Sequence, residues 1–180
     1  MSPRPAPDLH HRRRQVLHTA HEIAESEGWA AVTMRRLAAA LGVTQPVLYS
    51  AYASRQSLID AVALTGYVDL AAELEAVESA PLARIRTYLD FAANHPRMYE
   101  AMFSMPSGLP FATDDVPEPL RRAFAGVREA FPDADGTRAE VAWATLHGLA
   151  TLQAGGRLRP GQALARLALV DRMLSTPQTP

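Results

Sequence analysis

Residues 33–52 read TMRRLAAALGVTQPVLYSAY, and the spacing of small and aliphatic residues in this run decides the fold. Thr33 is a good N-cap, since its hydroxyl can accept from the free amides of a first helical turn. A helix is predicted from there through Leu41. Gly42 breaks it, supplying a turn conformation that other residues adopt only at a cost. Thr44 then caps a short helix through Tyr49 or Ala51, with Pro46 in its first turn, where a missing amide matters little. Leu37, Leu41, Val43 and Leu48 point inward. Ala38 sits at the crossing, where a larger side chain would push the helices apart. Ala38, Gly42 and Leu48 have the spacing of a helix-turn-helix. An alanine-rich helical hairpin in any all-α protein can share that spacing.

Outward from this run the chain reads as helix throughout, with apolar residues recurring at three and four. Pro3, Pro5 and Pro7 predict a disordered arm over residues 1–10. A first helix runs from about His11 to Glu27, with Val16, Leu17, Ala20, Ile23 and Ala24 as its apolar stripe. Gly28 stops it, and Trp29 and Val32 cross back over the core. Ser54 caps a long helix reaching about Val77. Pro81 starts a helix ending near Asn94, and Pro96 starts another. Three prolines and Gly108 make residues 104–118 a loop. Helices follow at about 118–131, 137–154 and 161–174. The expected fold class is all-α: residues 11–57 form a three-helix, helix-turn-helix domain, and residues 58–175 a second helical domain.

Composition narrows the function classes. The 180 residues include no cysteine, which excludes disulfide frameworks, cysteine-ligated zinc and cysteine nucleophiles. No apolar run reaches the length of a membrane span, and no secretory signal is readable, so a cytoplasmic location is expected. All eighteen basic residues are arginine. Residues 1–57 hold seven arginines against four acidic side chains, whereas residues 58–180 hold eleven against fifteen. A basic front and an acidic back suggest that only the front meets a polyanion.

From about Arg14 to Leu58 the sequence resembles the TetR family of transcription regulators. The family pattern appears as Gly28, Thr33, Arg35, Leu37–Ala38, Gly42–Val43 and Leu48–Tyr49. The run from Gly42 to Tyr49 is especially like the tetracycline repressors. Where the family often has His-Phe and then Lys, this chain has Ala51, Tyr52 and Arg55. Ala51 lacks a phosphate contact, Tyr52 can pack like Phe, and Arg55 keeps the charge. The resemblance implies a cytoplasmic repressor that binds double-stranded operator DNA and is released by a small-molecule effector.

Roles for residues follow from docking geometry. The reading helix enters the major groove with its N-terminal residues at base edges. Gln45 can bond an adenine edge, and Thr44 and Val47 can touch a thymine methyl. Arg35 matches the family position that reaches a guanine, and is preferred over Arg36. Thr33, Tyr49, Ser50, Tyr52 and Arg55 are assigned to phosphates, where they set register without reading sequence. Arg12–Arg14 can add backbone or minor-groove contacts, or remain solvated.

One short reading helix covers few base pairs, so a homodimer on a near-palindromic site is expected. Its natural surface is the last two helices, residues 139–152 (AEVAWATLHGLATL) and 163–174 (ALARLALVDRML). Trp143, His147 and Gly148 match a Trp-x-x-x-His-Gly pattern of one C-terminal subgroup of the family. Candidate effector-pocket residues are Tyr67, Tyr88, Phe91, Tyr99, Met102, Phe103, Phe124, Trp143 and His147, aromatic, histidine and Met side chains suited to an adaptable apolar cavity. Plain core packing would use the same residue types.

An enzyme is not expected: no metal-ligand spacing, nucleophile–base pair or phosphate-cradling glycine loop is present. His18 and His21 lack carboxylates that would complete a metal site. No cofactor or metal is expected. A helical protein-binding adaptor and a cofactor-free helical enzyme are the alternatives. Salt-dependent binding to DNA separates a regulator from both.

Overall fold

The computed structural model describes residues 8–111 and 113–175. Nine helices occur among them: α1 (Leu9–Glu27), α2 (Met34–Leu41), α3 (Gln45–Ala51), α4 (Arg55–Glu75), α5 (Pro81–Asn94), α6 (Pro96–Phe103), α7 (Glu118–Arg128), α8 (Thr137–Ala154) and α9 (Ala163–Ser175). Short 3-10 turns lie at Trp29–Ala31 and Pro160–Gln162, and no strand occurs among the described residues.

The all-α expectation holds, and most boundaries sit where caps place them. The hydroxyl of Thr33 accepts from Arg36 N at 3.1 Å. Gly42 is left-handed at φ 62°, and closes α2 with bonds from Gly42 N to Ala39 O and Val43 N to Ala38 O, a Schellman motif. Ser54 and Ser57 form a reciprocal capping box, each amide donating to the other's hydroxyl at 3.0 Å. Thr44 occupies the N-cap of α3, but its side chain makes no cap bond.

Several boundaries differ from expectation, and α4 ends at Glu75 rather than near Val77. α1 starts before His11, because the Asp8 carboxylate accepts from His10 N and His11 N and so begins the helix at Leu9. Residues 8–10 are therefore not part of an arm, and the rest of that predicted arm lies outside the described residues. α7 ends at Arg128, and Ala130 and Phe131 continue in tighter turns bonded to Val127 O and Arg128 O. α9 starts at Ala163, after the Pro160–Gln162 turn.

The chain forms two compact units. The first comprises the described residues up to Ala63 together with Arg97–Leu109, and the second holds Leu64–Pro96 and the residues from Pro110 onward. In the first, α1 packs on α2 and α3 over Val16, Ala20, Ile23, Leu37 and Leu48, all buried. α6 belongs to this unit for identifiable reasons. The Trp29 indole donates to Arg97 O at 2.8 Å. Gln56 Nε2 donates to Pro106 O at 2.6 Å, and the Asp60 carboxylate accepts from Gly108 N at 3.1 Å. The compact units thus divide inside α4, with α6 on the head side, rather than at residue 57.

In the second unit α5 packs on α8 and α9, and α7 on α8. Its core holds Leu70, Leu74, Ile85, Tyr88, Phe91, Phe131 and Leu146. Arg84 is buried among them. Its guanidinium donates to Glu78 O, Ser79 Oγ and the Glu129 carboxylate, tying the α4–α5 turn to the end of α7. Gly126 lets α7 approach α4, since a Cβ there would sit 3.0 Å from Leu74 Cβ. Gly126→Ala is therefore expected to destabilise the protein. Overpacking at about 1–3 kcal/mol outweighs the roughly 1 kcal/mol of helix propensity gained. A lower urea midpoint at unchanged slope would be the measured result.

Candidate nucleic-acid interface

The helix-turn-helix presents one face to its core and another to solvent. Leu48 and Ala51 anchor α3, whereas Thr44, Gln45, Pro46, Tyr49 and Ser50 are exposed and Val47 is half-buried. Leu41 and Val43 are half-buried rather than fully inward. The residues predicted to read bases thus line the free face of α3, except Arg35, which is exposed on α2. Arg36 is ion-paired to Glu27 at 2.6 Å, and among the described residues Arg35 makes no ion pair. That difference gives a physical reason for preferring Arg35 as the group left for a base edge.

The predicted phosphate set is divided by the structure. Thr33, Tyr49 and Ser50 are exposed at the ends and flank of the two short helices, although Ser50 Oγ donates to Val47 O at 2.7 Å. Tyr52 is half-buried. Its hydroxyl donates to Arg13 O at 3.4 Å, and burial pushes its pKa up against the opposing charge of Arg13. Arg55 has a structural task that the sequence did not reveal. Its Nε donates to Val32 O at 2.6 Å and one Nη to Trp29 O at 2.7 Å, holding the turn between α1 and α2. The sequence reading also missed the tie from Arg13 Nε to Ala51 O, 3.1 Å, which fixes the C-terminal end of α3 to α1. None of these partners could be found from local spacing, because all three bonds join residues at least 23 positions apart.

The nine candidate pocket residues are divided between the two units. Tyr99, Met102 and Phe103 lie in the first unit, with the Tyr99 and Phe103 rings 4.6 Å apart. Tyr67, Tyr88 and Phe91 are fully buried in the second. There Trp143 meets Tyr88 edge-on at 6.0 Å and Phe124 at 5.5 Å. His147 is half-buried, and burial pushes its imidazole pKa down, which favours the neutral ring. A groove of about 740 Å³ opens elsewhere in this unit, between the start of α8 and the end of α9. Thr137, Val141, Thr145, Met173 and Leu174 are among its walls, and none of the nine residues is. No cluster of His, Asp or Glu able to hold a metal occurs among the described residues.

A propped three-helix head with a polar face on its third helix, followed by a helical second unit, is the architecture of a helix-turn-helix DNA-binding protein. Comparison with known proteins supplies the family. Residues 16–62 match the model for bacterial regulatory proteins of the tetR family, and residues 82–176 match that for the tetracyclin repressor-like C-terminal domain. The chain belongs to the TetR family and is a DNA-binding transcription regulator. It is similar to an uncharacterised HTH-type transcriptional regulator of Mycobacterium tuberculosis, 30% identical over 159 residues, covering 80% of this chain and 71% of that one. A protein of unknown function from Rhodococcus sp. RHA1 is 29% identical at a TM-score of 0.70, covering 98% and 100% of the two chains. BioQ, solved with its double-stranded DNA operator, shares the fold at a TM-score of 0.62 and 22% identity, over 92% of this chain and 98% of that one. Among the described residues no helix is long and apolar enough to cross a membrane.

Proposed function

We propose that this regulator is a cytoplasmic repressor that binds a near-palindromic operator as a homodimer and leaves it when a small effector binds. The observation that carries the reading is the free face of α3. A seven-residue helix buries Leu48 and Ala51 and leaves Thr44, Gln45 and Pro46 in solvent. An uncommitted polar helix start, propped by two other helices, has the shape and chemistry a major groove accepts. Arg35, Thr44, Gln45 and Val47 read bases. Thr33, Tyr49, Ser50 and Tyr52 set register on phosphates, with Arg55 contributing whatever its carbonyl bonds leave free. The adaptor and enzyme alternatives give no reason for this exposure.

The second unit, Leu64–Pro96 with the residues from Pro110 onward, is assigned to dimerisation and effector binding. Trp143, held between Tyr88 and Phe124, together with His147 and Gly148, supports placing the chain in the Trp-x-x-x-His-Gly subgroup. The effector site is proposed within the second unit, around Tyr67, Tyr88, Phe91, Phe124, Trp143 and His147. Release follows if the effector prefers a dimer geometry whose reading helices no longer match successive grooves.

Selection of bound sequences from a random DNA pool tests the reading: a two-fold symmetric site is expected, and recovery of no enriched sequence would remove it. Gln45→Ala should relax preference at one or two positions of that site by about 1–3 kcal/mol each. Uniform weakening on every sequence, measured by competition binding, would instead withdraw Gln45 from base reading.

A further inference from the structure

We propose that Arg13 is a DNA-phosphate ligand, held ready at the C-terminal end of the reading helix by its bond to Ala51. The inference rests on α3 being the helix that enters the groove. Arg13 projects from α1, and its Nε donates to the carbonyl of the last residue of α3 at 3.1 Å. The residue is nonetheless exposed. Nε lies in the guanidinium plane, so this single bond fixes the fork while the two Nη nitrogens, with four N–H donors, make no bond among the described residues. A planar group can serve a carbonyl on one edge and present the other to a phosphate in a fixed orientation, whereas an ammonium on a flexible stem is held less firmly. Fixing the fork before contact also removes much of the ordering cost that a loose surface arginine meets on binding.

The other arginines of this unit are differently placed. Arg36 is neutralised by Glu27, and Arg55 holds the carbonyls of Trp29 and Val32. Arg14 lies within electrostatic reach of Asp8. Arg13 combines a fixed orientation, an open guanidinium edge and no carboxylate partner among the described residues. It lies at the end of α3 opposite Gln45, so bases are met at one end of the helix and the flanking strand at the other. The Tyr52 hydroxyl, donating to Arg13 O, fastens the same corner from the far side. A duplex carries about one charge per 1.7 Å along its axis, so a groove-bound helix has phosphates beside its rim.

The test is a salt series on a duplex obtained by random-pool selection, read by fluorescence anisotropy for the wild-type protein, Arg13→Gln and Arg13→Lys. Glutamine keeps an amide donor for Ala51 O and removes the charge. Arg13→Gln should lower the slope of log K against log salt by about 0.9 per subunit, on all sequences alike. For a dimer the affinity deficit then shrinks roughly tenfold between 50 and 200 mM salt. Arg13→Lys should restore the slope with incomplete affinity, a result that a purely structural role does not give. An Arg13→Gln slope equal to that of the wild-type protein would overturn the inference and leave the groove reading intact. Wild-type binding that is insensitive to salt would overturn both.

Discussion

Arg55→Ala is expected to destabilise the DNA-binding unit by about 2–4 kcal/mol, and to weaken operator binding through loss of folded protein. Hydrogen bonds made by a charged group contribute about 1.5–3 kcal/mol each, and removing the donor strips Val32 O of its bond, while Trp29 O keeps only the one from Val32 N at 3.2 Å. Arg55 makes two such bonds, to Val32 O and Trp29 O, and no other described side chain is bonded to those carbonyls. Val32 is fully buried and Trp29 nearly so, which limits how well water can replace the lost donors. The loss should not stay local. Trp29 also holds Arg97 O through its indole, so a loosened turn releases the start of α6 as well. Thermal melting and hydrogen exchange at residues 29–32 would measure the effect. A variant with wild-type stability but a reduced salt slope would return Arg55 to the phosphate role that its sequence position suggests.

That residue marks the limit of what the sequence makes legible. Helix boundaries were readable where a single residue dictates local geometry. Pro81 and Pro96 open α5 and α6 at the predicted positions, because proline tolerates the first turn and little else in a helix. Gly28 and Gly42 both have positive φ, and each ends a helix where expected. The start of α1 was less legible because three prolines upstream outweighed one aspartate, whose carboxylate then turned out to hold two amides. The exposure of Tyr49 and Ser50 was also readable, since helical spacing turns them away from Leu48, whereas Gln45, three positions before Leu48, is open because it starts the helix.

Long-range bonds were not readable. Arg13 to Ala51 and Trp29 to Arg97 span 38 and 68 positions, and any exposed arginine or core tryptophan looks alike in a sequence. The second of these explains why α6 joins the head although a linear reading gives everything beyond residue 57 to the back half. Arg84 carried a weak signal that went unused. It lies four residues before Tyr88 on the buried face of α5, a spacing that places a charge inside the core and demands partners. Aromatic residues were the least informative. Tyr67, Tyr88 and Phe91 suit a pocket wall or a filled core equally well by residue type, and all three are fully buried.

The double substitution Leu164→Glu with Leu169→Glu is expected to convert the protein to a monomer and to lower operator affinity by at least about a hundredfold. Leu164 is 79% exposed on α9, Met173 is 67% exposed, and Leu169 and Val141 are about half exposed. Nearly every residue from Thr151 to Leu169 is open to solvent in the single chain. Scattered exposed leucines are ordinary, but several large apolar residues along two neighbouring helices call for a covering surface. A Cβ at Gly148 on α8 would meet nothing within 4 Å, so the chain itself does not require that glycine, whereas a closely approaching helix from a partner would. Because the substituted side chains are exposed, the fold of the single chain should change by no more than about 0.5 kcal/mol. In a two-fold interface the change places four glutamates in apolar surroundings, each costing several kcal/mol unless it is paired. DNA binding then drops because specific recognition, about 4–10 kcal/mol beyond non-specific binding, is shared between two half-sites, and a monomer keeps only one. Light scattering gives the mass and anisotropy on the selected duplex gives the affinity. A variant that remains dimeric and binds its operator normally would place the subunit contact away from α9 and require a different surface to bring the two reading helices together.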